Sequence, residues 1–267
     1  MSDELTYDSY LRIPQLLSLQ QCRSTDPDTG EPEHDETLFI VIHQVYELWF
    51  KQVLHELDEL CRHLDADEPS RGTHQLKRVL KILKTLVSQL DVLETMTPLE
   101  FASFRPFLES ASGFQSAQFR ELELLLGQFD ASLLDLVDHD PDARARLERR
   151  LQEPTVWDAF VRCLGRSGYD IGESVTDRDV TLPHEPSEQV QAALVEIYRS
   201  NPALMEVCEL LTDFDEGFME WRYRHVMMVQ RTIGTKHGTG GSDGAAYLRT
   251  TIMRPAFPDL WAIRTSF

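Results

Sequence analysis

Basic residues are scarce in this chain: 26 lysines and arginines stand against 45 aspartates and glutamates in 267 residues, a formal net charge of −19. A field of that sign repels phosphate backbones and anionic lipid surfaces, so neither nucleic acid nor a membrane is an expected partner. Long apolar runs are missing too, and no uncharged stretch approaches the roughly 18 residues a membrane-spanning helix needs. The opening Met1-Ser-Asp-Glu-Leu5 carries neither the basic nor the apolar region of a secretory signal. Cys22, Cys61, Cys163 and Cys208 are far apart and form no Cys-x-x-Cys pair. That spacing offers no thiolate zinc site and reads as reduced thiols of a soluble, cytoplasmic protein.

Several chemical motifs are absent as well. The single Glu-x-x-His spacing, Glu31-Pro-Glu-His34, falls in a proline-broken loop, which removes the paired motif of a carboxylate-bridged di-iron bundle. His55-Glu-Leu-Asp-Glu59 lacks the second histidine of a zinc protease and reads as a solvated helix face. Gly240-Gly-Ser242-Asp-Gly244 matches the nucleophile-elbow pattern, but that turn needs a preceding strand, and a helix is expected before it. The glycine-rich segment 234–244 also lacks the Gly-Lys-Ser/Thr of a phosphate-cradling loop. No repeat and no low-complexity tract is present.

What the chain does have is helical periodicity, with period-two alternation scarce. Leu76, Val79, Leu80, Leu83, Val87 and Leu90 recur at steps of three and four while Lys77, Lys81, Lys84 and Gln89 take the other side. From Glu36 to about His63, Leu38, Ile42, Val45, Trp49 and Val53 form one stripe, and Phe39, His43, Tyr46 and Phe50 an adjacent one, so this helix is buried on more than one side. Further helices are expected over 114–129, 141–151, 155–164, 187–198 and from Pro202 to about Ile233. The segments 23–35 and 168–186 read as surface loops rather than domain linkers. With 42% hydrophobic residues available for a core, the simplest account is all-α: one helical-bundle domain spanning 1–267, with 1–35 an N-terminal segment and loop.

Two histidines sit in aromatic-flanked apolar stretches: His43 in Phe39-Ile-Val-Ile-His-Gln-Val-Tyr-Glu-Leu-Trp-Phe50, and His225 in Trp221-Arg-Tyr-Arg-His-Val-Met-Met-Val229. A neutral imidazole there can offer a lone pair to a metal or accept a substrate proton. A hydrogen-bonded core histidine fits either stretch equally well, and it is the pair that suggests a cofactor pocket. Arg105 stands before Pro106 among Phe101, Phe104 and Phe107, where the proline biases it away from helical geometry at a helix boundary. Its guanidinium can grip a carboxylate through parallel hydrogen bonds, and an internal ion pair is the alternative. Ser112-Gly-Phe-Gln115 fits a capping box that opens a helix. The glycines after the His225 helix suit either a loop closing over a ligand, with Thr239 offering a hydroxyl, or a plain connector.

Six ordered blocks resemble the tryptophan 2,3-dioxygenase family nearly end to end: Leu5-Thr-Tyr7-Asp-Ser-Tyr-Leu-Arg12, His34-Asp-Glu-Thr-Leu-Phe39-Ile-Val-Ile-His43-Gln with Glu47-Leu-Trp49, Phe104-Arg105-Pro106, Ser112-Gly-Phe-Gln-Ser116, Trp221-Arg-Tyr-Arg-His225 and Gly238-Thr239-Gly-Gly-Ser242. The resemblance implies a heme enzyme of tryptophan catabolism that uses dioxygen to open the C2–C3 bond of L-tryptophan, giving N-formyl-L-kynurenine. His225 would be the axial ligand of a non-covalent heme b, in agreement with the absence of a Cys-x-x-Cys-His attachment site. His43 would lie beside the indole N–H, Phe39 and Phe101 would wall the indole, and Ser112 would lie near the distal side of the heme. Arg105 would hold the substrate carboxylate, Thr239 would bind its ammonium and carboxylate end, and Tyr7 would arrive from a neighbouring subunit of a homotetramer. Two features depart from the family pattern: Phe101 stands where some relatives carry Tyr, and the stretch from Cys22 to Glu33 is longer and more acidic than usual. A related heme monooxygenase acting on an indole, a helical heme sensor without turnover and a purely structural module are the rival readings.

Overall fold

The computed structural model describes residues 4–129, 131–238 and 245–267, and among them it contains helices and turns and no strand. Two short N-terminal helices, α1 (Tyr7–Leu11) and α2 (Ile13–Leu16), precede the long α3 (His34–Asp65) and α4 (Pro69–Leu93). After them come α5 (Pro98–Phe104), α6 (Ala117–Leu125), α7 (Pro141–Arg150), α8 (Val156–Arg166), α9 (Glu173–Thr176), α10 (Glu188–Ser200), the long α11 (Pro202–Ile233), α12 (Ala245–Thr251) and α13 (Pro258–Ala262). The fold is all-α.

The long helices form because their apolar residues recur every three to four positions, and they stay together because those stripes meet. The connection 66–68 folds α4 back on α3, and α4 then packs on α11. Leu57, Leu60 and Leu64 of α3, Leu76, Val79, Leu86 and Leu90 of α4, and Val207, Leu211 and Phe214 of α11 are all buried in one cluster. The α3–α4 approach is close at Gly72: a Cβ there would come within 2.7 Å of Leu60 Cδ1, and that side chain would have to shift. Helix α8 packs on α3, and α10 on α11.

The periodicity reads α3, α4, α7, α8, α10 and α11 to within a few residues. The expected helix over 114–129 is different. Ser112 does cap through its box with Gln115, but what it opens is a short 3-10 turn, Gly113–Gln115. The backbone extends at Ser116, whose side chain caps α6 afresh by accepting from Phe119 N at 3.2 Å. The helix then ends at Leu125, two residues before Gly127, whose φ of +78° is left-handed. The loop at 23–35 is also more than a surface connector. Ser24 is buried, and the Glu36 carboxylate accepts from the backbone N–H groups of Arg23 and Ser24, both at 2.8 Å. By contrast, α1 and α2 bury nothing, and Leu5, Tyr7, Tyr10 and Leu17 each keep 70% or more of their surface exposed.

Candidate functional site

Helices α3, α4, α5, α6 and α11 leave a cavity of about 270 Å3 between them. Its walls are mostly apolar, and Phe39, His43, Phe101, Arg105, Ser112 and His225 all face it. The sequence separates these residues widely, and the bundle brings them together.

His43 and Phe39 lie one turn apart on α3 with ring centroids 4.1 Å apart. His43 Nδ1 lies 2.7 Å from the Phe39 carbonyl oxygen. A carbonyl can only accept, so Nδ1 carries the hydrogen, and in the neutral ring Nε2 keeps its lone pair. Burial pushes the His43 pKa down, with a partial counter-effect from the Phe39 carbonyl and the Glu47 carboxylate. His225 on α11 has its pKa pushed down to about 4, chiefly by burial and further by His43 and by the Arg120 guanidinium. Both imidazoles are neutral at pH 7. Each ring is enclosed by protein yet keeps free surface, because that surface faces the cavity.

Helix α5 is a small platform fixed at its start by the Thr97–Glu100 capping box. It presents Phe101 and Phe104, edge to face at 87° with centroids 5.3 Å apart, and both contact Phe39, at 5.9 and 5.4 Å. Arg105 follows at the junction with a 3-10 turn (Arg105–Leu108) and is half-buried. The expected boundary is there, but the expected departure from helical geometry is not: φ −50° and ψ −39° place Arg105 in the helical region. The proline penalty is a bias, and here the chain passes from α-helix directly into 3-10 turns with Pro106 at the start of the new turn. Arg105 Nη2 donates to the His237 carbonyl at 2.6 Å, tying this junction to the segment after α11.

The remaining sequence candidates lie elsewhere. Thr239 and the Gly240–Gly244 motif fall outside the described residues. Tyr7 is 73% exposed on α1 and does not line the cavity of its own chain.

The cavity also has walls that the motif reading did not single out as site residues. Tyr46 and Phe50 continue the His43 stripe by one and two further turns, and Trp221 precedes His225 by one turn, so helical spacing was a usable signal for these three. Arg120, Glu123 and Arg222 carried no such signal. They look like ordinary helix-surface charges, yet all are buried, with Arg120 and Arg222 both paired to Glu123. Three arginines and two glutamates line the cavity, a positive balance inside a strongly acidic chain.

Among the described residues no group of three or more His, Cys, Asp or Glu side chains is placed to hold a bare metal ion. A single neutral imidazole is nevertheless a sufficient protein ligand for an iron whose other positions are filled by a flat macrocycle. An apolar cavity with aromatic walls and one available imidazole suits such a group.

The sequence model of tryptophan 2,3-dioxygenase matches residues 1–154 and 173–267. A tryptophan 2,3-dioxygenase of Herpetosiphon aurantiacus is 57% identical over 264 residues, covering 99% of each chain. Proteins of the same name are 52% identical in Anaeromyxobacter sp. (strain K), over 98% of this chain and 96% of the relative, and 45% identical in Saccharopolyspora erythraea, over 98% and 92%. Matched along almost its whole length, the chain belongs to the tryptophan 2,3-dioxygenase family.

Proposed function

We propose that the chain cleaves the indole C2–C3 bond of L-tryptophan with dioxygen, placing both oxygen atoms in N-formyl-L-kynurenine, and that it does so with a heme b held non-covalently through His225. The family is heme-dependent in general. The observation that carries the reading is the facing of two neutral histidines on one apolar cavity, with the His43 hydrogen committed to the Phe39 carbonyl. When bound, ferrous heme supplies the activation of dioxygen.

The chain's own residues then bind, orient and exclude water. His225 supplies a lone pair that stays unprotonated down to about pH 4, so the ligand is available throughout the physiological range. His43, with Nδ1–H spent on Phe39, can only accept at Nε2, which suits the indole N–H of the substrate. That hydrogen bond fixes the ring without requiring a strong base, in keeping with a pKa pushed below the usual value. Phe39 and Phe101 wall the indole, and Ser112 lines the same side. Arg105 offers its remaining N–H groups to the substrate carboxylate beside the one given to His237. Thr239 binds the ammonium and carboxylate end. Holding the reacting bond in a dry, fixed position is the larger part of what a protein contributes to such a reaction.

The proposal includes a cytoplasmic homotetramer in which Tyr7 enters the cavity of a neighbouring subunit; the exposure of Tyr7 on α1 leaves it free for such a contact. Transfer of one oxygen atom, or heme carriage without turnover, is not favoured by the family assignment. A carrier, moreover, has no use for the His43 acceptor or for Arg105.

Turnover of tryptophan by reduced protein under 18O2 tests the reading. The product gains both labelled atoms if it holds, and gain of only one would refute it in favour of monooxygenation.

A further inference from the structure

His225 lines the cavity, and among the described residues none accepts a hydrogen bond from its ring. A ligating imidazole ordinarily gives its second N–H to a carboxylate, carbonyl or water, which fixes the ring plane and raises its basicity. A ring contact also bears on the plane of His225. Trp221, one turn earlier on α11, lies parallel to His225 within 6°, with centroids 5.3 Å apart. Residues four apart share a helix face, so the backbone itself sets this overlap.

Trp221 is held from every side by other rings. Phe50 meets it at 90° with centroids 6.1 Å apart, Phe119 at 5.2 Å, and Phe218 lies parallel within 11° at 6.1 Å. Phe218 is stacked in turn on Phe214 at 5.8 Å. Tyr46 adds a further ring against Trp221, with centroids 6.3 Å apart. A row of rings thus runs along one face of α11 from the core to the cavity and ends at the imidazole.

We propose that Trp221 is the positioning residue for His225: its stack holds the imidazole plane. This rests on the reading of His225 as the heme ligand.

Resonance Raman spectroscopy of the ferrous, heme-loaded protein tests the assignment through the iron–histidine stretching band, with the reduction potential measured alongside. Trp221→Phe keeps a flat aromatic ring, although a smaller one, next to the imidazole, so one narrow band at the wild-type frequency is expected. Trp221→Leu removes the ring, and the band should broaden, shift or split, with a displaced potential. Should the leucine variant fail to fold, Trp221→Met, unbranched and able to adapt to the space but still without a ring, gives the same comparison. A merely structural role would lower the melting temperature without moving the band. An unchanged band in the ringless variant, or equal damage in the phenylalanine variant, overturns the proposal. Wild-type protein with no iron–histidine band overturns the parent reading instead, so the two failures are distinguishable.

Discussion

Arg105→Gln separates substrate recognition from cofactor binding. The guanidinium is half-buried on the cavity wall, and one of its N–H groups is committed to the His237 carbonyl at 2.6 Å. Truncating one member of a hydrogen-bonded charge pair costs about 2–5 kcal/mol, and half-burial places this case near the lower end, about 2–3 kcal/mol. At about 1.4 kcal/mol per decade, kcat/KM for tryptophan should fall roughly 30- to 150-fold, mostly through KM. The lost bond to His237 is a separate effect on the loop after α11. Tryptamine, which has no carboxylate, isolates that effect. Steady-state kinetics of both substrates on the two proteins, with heme content checked by absorbance, should show the preference for tryptophan over tryptamine collapsing in the variant. Equal losses for the two substrates would refute the carboxylate assignment, and no loss for either would refute any part for Arg105 in binding.

Other outcomes follow from the buried polar groups. The Asp215 carboxylate accepts from Ala256 N at 2.7 Å, Phe257 N at 3.0 Å and Trp261 Nε1 at 3.1 Å, joining the C-terminal segment to α11. Asp215→Ala orphans these donors in a dry site, so a loss of about 3–5 kcal/mol and a melting temperature lower by about 10 °C are expected in a thermal scan; a shift under about 2 °C would contradict the account. In heme-free protein, His184 and His225 both have pKa values pushed down to about 4, chiefly by burial. The unfolded chain binds protons near the ordinary value of 6.5 that the folded chain refuses, so stability is full above pH 6.5 and is lost as the pH falls toward 4. Urea unfolding at pH 7 and pH 5 should differ by about 2 kcal/mol for each histidine, and His184→Gln should remove one share. Equal stability at the two pH values would contradict neutral burial.

The parts of the fold that are legible in the sequence are those fixed by repetition. The stripe Leu76, Val79, Leu80, Leu83, Val87 and Leu90 faces the core when wound as a helix: in α4, Leu76, Val79, Leu83 and Leu90 are buried, and Leu80 and Val87 pack partly buried at its edge. The segment from 112 to 129 is harder because two caps compete within five residues: Ser112 and Ser116 each accept a backbone N–H, and the chain uses both, giving a turn and then a shorter helix. In the cavity, His43 and His225 are conspicuous because an imidazole is rare in an aromatic stripe. Arg120 and Arg222 are not, since a charged residue on a helix looks the same whether it faces water or a shared carboxylate such as Glu123. The pinning of Ser24 and Arg23 by Glu36 is invisible for the same reason: a buried carboxylate at a helix start cannot be told from an exposed one without its donors. Tyr7 is the converse case, because its place in the sequence blocks suggests a role that a single chain leaves unfilled.

In the proposed reading His225 would hold the iron of a heme in the cavity that His43 also lines. Heme titration of His225→Gly, with and without added imidazole, tests it most directly. The account predicts that the variant forms no iron–histidine complex alone and regains a wild-type ferrous spectrum when free imidazole fills the vacated position; a wild-type spectrum in the variant without imidazole would contradict it.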